Sequence, residues 1–288
     1  MTGNWPRPPS SRALNAIAPN QGKAPPEDPV GRYDPRRMAF FHFMFSRFFG
    51  KHMRASRVAH WGMPRDYGDR PLVVFANHPG WWDGVAFMLL SVGLFPKRRM
   101  FTPMDKAALE KYAFMRRLGV FGIETGTPRG AVAFLRTAEQ VLAASDRMLW
   151  MNAPGRFADV RERPVPIAPG MTRLPEMAPD ALFIPLALDY PFWTERKAEM
   201  LCAFGEPIDG RTLAVLDRET RSDVLSQALA ATMDRLAEDA IARDPARFET
   251  LHRGREGMGG IYELWRRLRA ALRGERFDAR HDTRREPG

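Results

Sequence analysis

Six short apolar runs punctuate the middle of the chain, at residues 72–76, 99–102, 120–124, 148–151, 181–188 and 200–204. Amphipathic stretches long enough for helices separate most of them. A run without a polar face suits a strand covered on both sides. Its alternation with helical stretches predicts an α/β fold, a mixed, largely parallel sheet covered by helices. Residues 84–95 are apolar all round and predict a buried helix, too short to cross a bilayer. Thr127-Pro128 is a helix cap followed by proline at the first helical position, opening a helix to about residue 144. Its Ala131, Phe134, Leu135, Ala138, Val141 and Leu142 repeat at helical spacing and are expected to face the sheet. Residues 217–242 read as one long amphipathic helix, and beyond Pro207 no further strand is expected.

Residues 36–54, RRMAFFHFMFSRFFGKHMR, set six phenylalanines among five cations. At about 100° per residue, Arg36, Arg47, Lys51 and Arg54 share one side of a helix, and Phe41, Phe45, Phe48 and Phe49 the other. Such a helix lies along a membrane interface or packs on the domain core, since both impose the same period. Phe40 and Phe43, beside the cationic side, favour lipid.

These elements predict five parts: a disordered N-terminal segment (1–35), an amphipathic interfacial helix (36–55), an α/β domain (56–212), a helical extension (213–274) and a charged, disordered tail (275–288). The extension is expected to hold a second, arginine-rich helix at 261–272. With 288 residues and 44% hydrophobic content the chain can bury one sizeable core, which excludes a collagen, a coiled-coil rod or a wholly disordered protein.

Charge narrows the partners. Thirty-eight arginines and six lysines leave a net +10, which favours polyanions: nucleic acid, an anionic membrane surface or phosphorylated substrates. Nucleic acid is not expected, because the arginines are scattered and the aromatics crowd into residues 40–49 instead of forming a stacking platform. Cys202 is the only cysteine, so an intramolecular disulfide is excluded. The N-terminus lacks the apolar stretch of a signal peptide. The expected location is cytoplasmic, peripheral on the inner face of the membrane.

Candidate chemistry concentrates in PLVVFANHPGWWDGVAFMLL, where a strand runs into Asn77-His78, turns at Pro79-Gly80 and enters a helix near Asp83. On a continuous helix, side chains five residues apart diverge by about 140°. A strand-to-helix turn removes that obstacle and lets Asp83 fold back to the His78 imidazole. A carboxylate on one ring nitrogen fixes the tautomer and leaves the other to take a proton from a hydroxyl or water. A histidine merely satisfied by a capping aspartate has the same spacing, but the tandem Trp81-Trp82 and the Pro-Gly turn favour a site. No Ser, Thr or Cys stands in a nucleophile elbow, and no second His or Cys sits at ligand spacing from His78. The expected nucleophile is therefore the substrate's own alcohol, with no metal or tightly bound cofactor.

These residues resemble the lysophospholipid and glycerolipid acyltransferases (1-acylglycerol-3-phosphate acyltransferase-like), whose first motif is N-H-x4-D at a strand end. The resemblance runs from about Pro71 to Ile208. FGIETGTPRGAVAFLRTAEQVL is similar to the second block, LWMNAPGRF to the third, ALFIPLALDY to the fourth, and AFGEPI to the glycine turn that closes many members. It implies attack by an acceptor hydroxyl on an acyl thioester, acyl-CoA or acyl-carrier protein as co-substrate, with His78 as general base and Asp83 orienting it. It also implies substrate-binding positions at Asn77, Gly80, Trp81, Trp82, Thr125, Arg129, Gly155 and Arg156. The helix start at residues 80–83 offers backbone N–H groups for the oxyanion.

Two departures bear on the acceptor. Where the third block usually reads F-P-E-G-x-R or F-P-Q-G-R, this chain has Asn152-Ala153-Pro154-Gly155-Arg156, placing a proline at the Glu or Gln position. Thr125 stands at the position that commonly carries a phosphate-binding arginine. Phosphate capture is then expected at Arg156 and Arg129, helped by Arg161, Arg163 and Arg173. The expected activity is acyl transfer to a lysophospholipid or to a less usual lipid alcohol, such as a lyso-aminolipid or glycosylated lipid. The alternative is a membrane-associated protein of the same fold that holds acyl chains without transferring them, although it would need neither His78 nor Asp83.

Overall fold

The structure, a computed structural model, describes residues 28–254. The elements are α1 (Pro29–Arg32), α2 (Pro35–His52), β1 (Ala55–Ala59), β2 (Leu72–Ala76), α3 (Asp83–Leu94), β3 (Arg99–Asp105), α4 (Lys106–Lys111), β4 (Val120–Ile123), α5 (Pro128–Leu142), β5 (Arg147–Asn152), α6 (Leu174–Met177), β6 (Leu182–Asp189), β7 (Glu199–Phe204), β8 (Ile208–Asp209), α7 (Gly210–Ala214), α8 (Arg218–Ala242) and β9 (Phe248–Arg253). The nine strands among the described residues belong to one sheet in the order β4-β3-β5-β2-β6-β7-β1-β9, with β8 paired to β6. Strands β4, β3, β5, β2 and β6 run parallel, β7 is antiparallel to β6, and β9 is antiparallel to β1. The sheet is mixed and mostly parallel, flanked by helices, as its apolar runs predict.

Strand periodicity divides the core. In β2, Val73 and Phe75 face a cluster that includes Phe134 and Val141 of α5 and Leu229 and Leu236 of α8. Leu72 and Val74 point the other way, into a cluster with Phe87 and Leu90 of α3 and Phe49 of α2. A strand buried on both faces needs no polar positions, which is why the run LVVFA is legible. The helix starts are equally local. Thr127 Oγ1 accepts from the Gly130 N–H at 3.0 Å. Glycine is required there, because a Cβ on residue 130 would lie 1.8 Å from the Glu124 carbonyl oxygen.

Connectivity changes direction at one place in the sheet. After β2 the chain crosses by α3 to β3 on one side of β5, whereas after β5 it crosses to β6 on the other side of β2. The helix α3 packs on one face of the sheet, and Val165, Met171 and Leu174 of the β5–β6 connection pack on the opposite face. Adjacent parallel strands whose connections leave in opposite directions leave a gap beyond their carboxyl ends, the usual ligand position in such sheets.

Several expectations are corrected. The segment 213–274 is not a purely helical extension: α8 packs on β6 and β7, and β9 completes the sheet edge beside β1. Strands therefore do recur after Pro207. The helix expected at 36–55 ends at His52, and Ala55 already begins β1. Pro29–Arg32, inside the segment expected to be disordered, forms a helical turn capped by Asp28. The remainder of that segment, the helix expected at 261–272 and the tail lie outside the described residues. The side shared by Phe41, Phe45, Phe48 and Phe49 is divided: Phe49 is fully buried and Phe41 and Phe45 pack against the same core, whereas Phe48, like Phe40 and Phe43, is exposed.

Candidate active site

His78 follows the carboxyl end of β2, beside the end of β5. Ala76 closes β2 in register with Asn152 of β5, and the Ala153 N–H donates to the Ala76 carbonyl at 2.7 Å, fixing the two strand ends together. The Ala158 N–H donates to the His78 carbonyl at 2.9 Å, so the loop after β5 folds over the turn. Phe157 from that loop lays its ring 4.3 Å, centroid to centroid, from the imidazole.

The two side chains of the His-x4-Asp spacing meet. His78 Nδ1 lies 2.5 Å from Asp83 Oδ2. Asp83 is fully buried on the first turn of α3, while the imidazole remains partly exposed. The carboxylate is satisfied on both oxygens. Oδ2 also accepts from the Gly80 N–H at 3.3 Å, and Oδ1 accepts from the Tyr190 hydroxyl at 2.7 Å. Burial, reinforced by the adjacent carboxylate, holds the Tyr190 phenol well above its ordinary pKa, so it is a permanent donor.

With Nδ1 donating to Asp83, Nε2 carries the lone pair. Its polar side-chain neighbour is Asn152, whose Nδ2 stands 3.5 Å away, while Asn152 Oδ1 is buried and without a hydrogen-bond partner. Neither Tyr190 nor Asn152 was assigned a role from sequence, although both lie inside the blocks that carry the acyltransferase resemblance. Asn152 is the last residue of β5 and Tyr190 follows the last residue of β6, the two strands that flank β2.

Other expected site residues are placed differently. Asn77 does not face a ligand; it is buried, donating from Nδ2 to the Leu188 carbonyl and accepting the Leu188 N–H at Oδ1, both at 2.8 Å. A side-chain amide can donate and accept at once, which suits it to tie the ends of β2 and β6. The Gly80 N–H is turned to Asp83, away from an oxyanion role. Trp81 is exposed, and Trp82 packs on α2 with its ring 5.4 Å from that of Phe48. Thr125 Oγ1 donates to Asp105 Oδ2, and Arg129 is exposed, with no hydrogen bond or ion pair among the described residues.

Gly155 occupies the left-handed region at φ 66, which allows the tight turn after β5. Arg156 follows it, but both of its terminal nitrogens are held by the Glu162 carboxylate, which raises the guanidinium pKa further. Arg161 pairs with Asp159 and Arg163 with Asp234. Arg161 and Arg163 line a cavity of about 300 Å³ against α8 that also reaches Asp189 and does not include His78. Arg173 is exposed.

Cys202 is excluded as a nucleophile: its buried thiol donates to the Arg57 carbonyl at 3.2 Å, and desolvation raises its pKa far above the thiolate range. Among the described residues no group of three or more His, Cys, Asp or Glu side chains could hold a metal ion, and no helix is long and apolar enough to cross a membrane.

No family model matches the chain, and no curated protein is significantly similar to it.

Proposed function

We propose that this protein is an O-acyltransferase that moves a fatty acyl group from an acyl thioester, acyl-CoA or acyl-carrier protein, to the hydroxyl of a lyso-lipid. The observation that carries the reading is the His78–Asp83 contact beyond the carboxyl ends of β2 and β5, with Nε2 left to meet a hydroxyl. The resemblance of the motif blocks narrows the acceptor to lipid alcohols.

In this reading the acceptor hydroxyl approaches Nε2 and gives up its proton as its oxygen attacks the thioester carbonyl. The new C–O bond forms a tetrahedral intermediate. Its collapse breaks the C–S bond, and the imidazolium returns the proton to the leaving thiolate, regenerating neutral His78. Asp83 orients the ring and offsets the imidazolium charge without taking the proton. A positioned base of this kind contributes about 10²–10⁴ in rate. Asn152 Nδ2 can donate to the hydroxyl oxygen while that oxygen's hydrogen points at Nε2, which aligns the lone pair for attack.

The test is direct. Purified protein is given labelled acyl-CoA or acyl-carrier protein together with a panel of lysophospholipids, lyso-aminolipids and glycosylated lipids, and the product is identified by mass. His78→Ala is expected to lose at least 10²-fold in turnover while keeping its fold. Unchanged transfer by that variant overturns the assignment. Absence of transfer from every donor, with acyl lipid still bound, favours the non-catalytic acyl-lipid-binding alternative.

A further inference from the structure

The helix α2 presents a face that the fold leaves uncovered. Its inner stripe, Met38, Phe41, Phe45 and Phe49, packs on the core. Its outer stripe carries Phe40 and Phe43, each 58% exposed, Met44 at 49% and Phe48 at 39%. Exposed aromatics in such density are unusual on a monomer surface and mark a contact. The cations do not occupy a separate side, as the helical wheel suggested: Arg36, Arg37, Arg47 and Lys51 are exposed among these rings, and the Arg47 guanidinium lies 5.7 Å from the centre of the Phe43 ring. The helix Pro35–His52 contains no acidic residue.

We propose that this outer face of α2, together with Trp81, docks onto an anionic lipid bilayer. The chemistry matches that surface at both levels. Aromatic rings belong at the headgroup boundary, and long cationic side chains reach past them to lipid phosphates. A second copy of the chain fits less well, because a two-fold contact through α2 would oppose its own cations. The face also continues to the candidate active site. Phe48 lies 6.3 Å, ring to ring, from Trp81, which is 64% exposed on the turn that joins His78 to Asp83. Docking through this patch brings the turn to the membrane surface, where a lipid alcohol is available without leaving the bilayer.

The proposal stands on the surface alone and does not require His78 to be catalytic. The full chain is mixed with vesicles of phosphatidylcholine, with and without about one-third phosphatidylglycerol, and sedimented. Binding to the anionic vesicles is expected to exceed binding to the neutral ones at least 10-fold and to weaken with salt. The triple variant Phe40→Ser/Phe43→Ser/Phe48→Ser and the double variant Arg47→Glu/Lys51→Glu should each lose at least 10-fold in vesicle binding. Their thermal midpoints should be kept, since these side chains are outside the core. Tryptophan quenching by brominated lipid should fall in Trp81→Phe.

Three outcomes overturn the proposal: wild type that ignores anionic vesicles, variants that bind like wild type, or a triple variant whose only change is a smaller oligomer. Transfer to a detergent-dispersed acceptor separates this proposal from that of the active site. A triple variant that keeps transfer but loses vesicles supports docking. A His78→Ala protein that keeps both vesicle binding and transfer overturns the catalytic assignment only.

Discussion

Tyr190 donates its phenolic hydrogen to Asp83 Oδ1 over 2.7 Å, from a partly buried position just after β6. Asp83 holds His78 with its other oxygen, so the orientation of the imidazole depends on a residue from another strand. Tyr190→Phe keeps the ring and removes only the donor, leaving a buried carboxylate oxygen without its partner. The expected cost is about 1–3 kcal/mol of stability, read by chemical denaturation. Turnover should fall roughly tenfold or more, with KM for the lipid nearly constant, since Tyr190 touches the carboxylate and not the substrate. A variant with wild-type kcat would show that Asp83 needs no such support.

What the sequence made legible is what local chemistry decides. Fully apolar strands, the Thr127 cap and the approach of His78 to Asp83 across five residues all follow from neighbours in the chain. Tyr190 and Asn152 lie 107 and 74 residues from their partners in the site, and only sheet order brings them there. Strand β1 escaped notice because its fully buried sequence, ASRVA, contains Arg57, a residue type that reads as exposed. Arg57 is instead paired with Glu199 of β7 at 3.1 Å and bonded to Thr250 of β9 at 2.8 Å. The β9 sequence FETLHR is largely polar, as an edge strand can be, and so offered no apolar run. For α2, the period was legible but not the direction, because two different apolar surfaces, a core and an outward patch, were superposed on one helix.

Asn77 offers a test that separates structure from binding. If it faced substrate, Asn77→Ala would raise KM. Its amide instead completes both backbone groups of Leu188, two residues before Tyr190. The expected effect is a loss of about 2–4 kcal/mol in stability, from leaving a buried N–H and a buried C=O unpaired. Turnover should fall with KM little changed, because the β6 end that carries Tyr190 is loosened. Denaturation and steady-state kinetics on the same preparation check both parts.

Arg156 is the expected phosphate ligand whose position is most altered by its surroundings. Glu162 pairs with its guanidinium, so a phosphate must displace a carboxylate to be bound. Glu162→Gln removes that competitor while keeping the shape of the side chain. If Arg156 serves phosphate-bearing acceptors, this variant should lower their KM several-fold and leave acceptors without phosphate unchanged, whereas Arg156→Gln should raise KM for the first group alone. Equal effects on both groups would assign Arg156 to holding the loop after β5.

His42 of α2 and His252 of β9 are expected to set an acid limit on the packing of that helix against the sheet edge. Their rings lie 6.1 Å apart, and His42 Nε2 and His252 Nδ1 are buried without hydrogen-bond partners. Burial lowers both pKa values, and for His252 the nearby His42 lowers it further. In the unfolded chain the same groups titrate near 6.5. Above that value both states are neutral and the packing is complete. As pH falls, the unfolded chain takes up protons first, and stability is lost down through the depressed folded values. Once both rings are charged, two like charges face each other between α2 and the sheet edge. The thermal midpoint should therefore drop between about pH 7 and about pH 5, and His252→Asn should flatten that decline by removing one titrating ring. A midpoint equally pH-dependent in the variant would place the acid sensitivity elsewhere, because no other change at His252 alters the local charge.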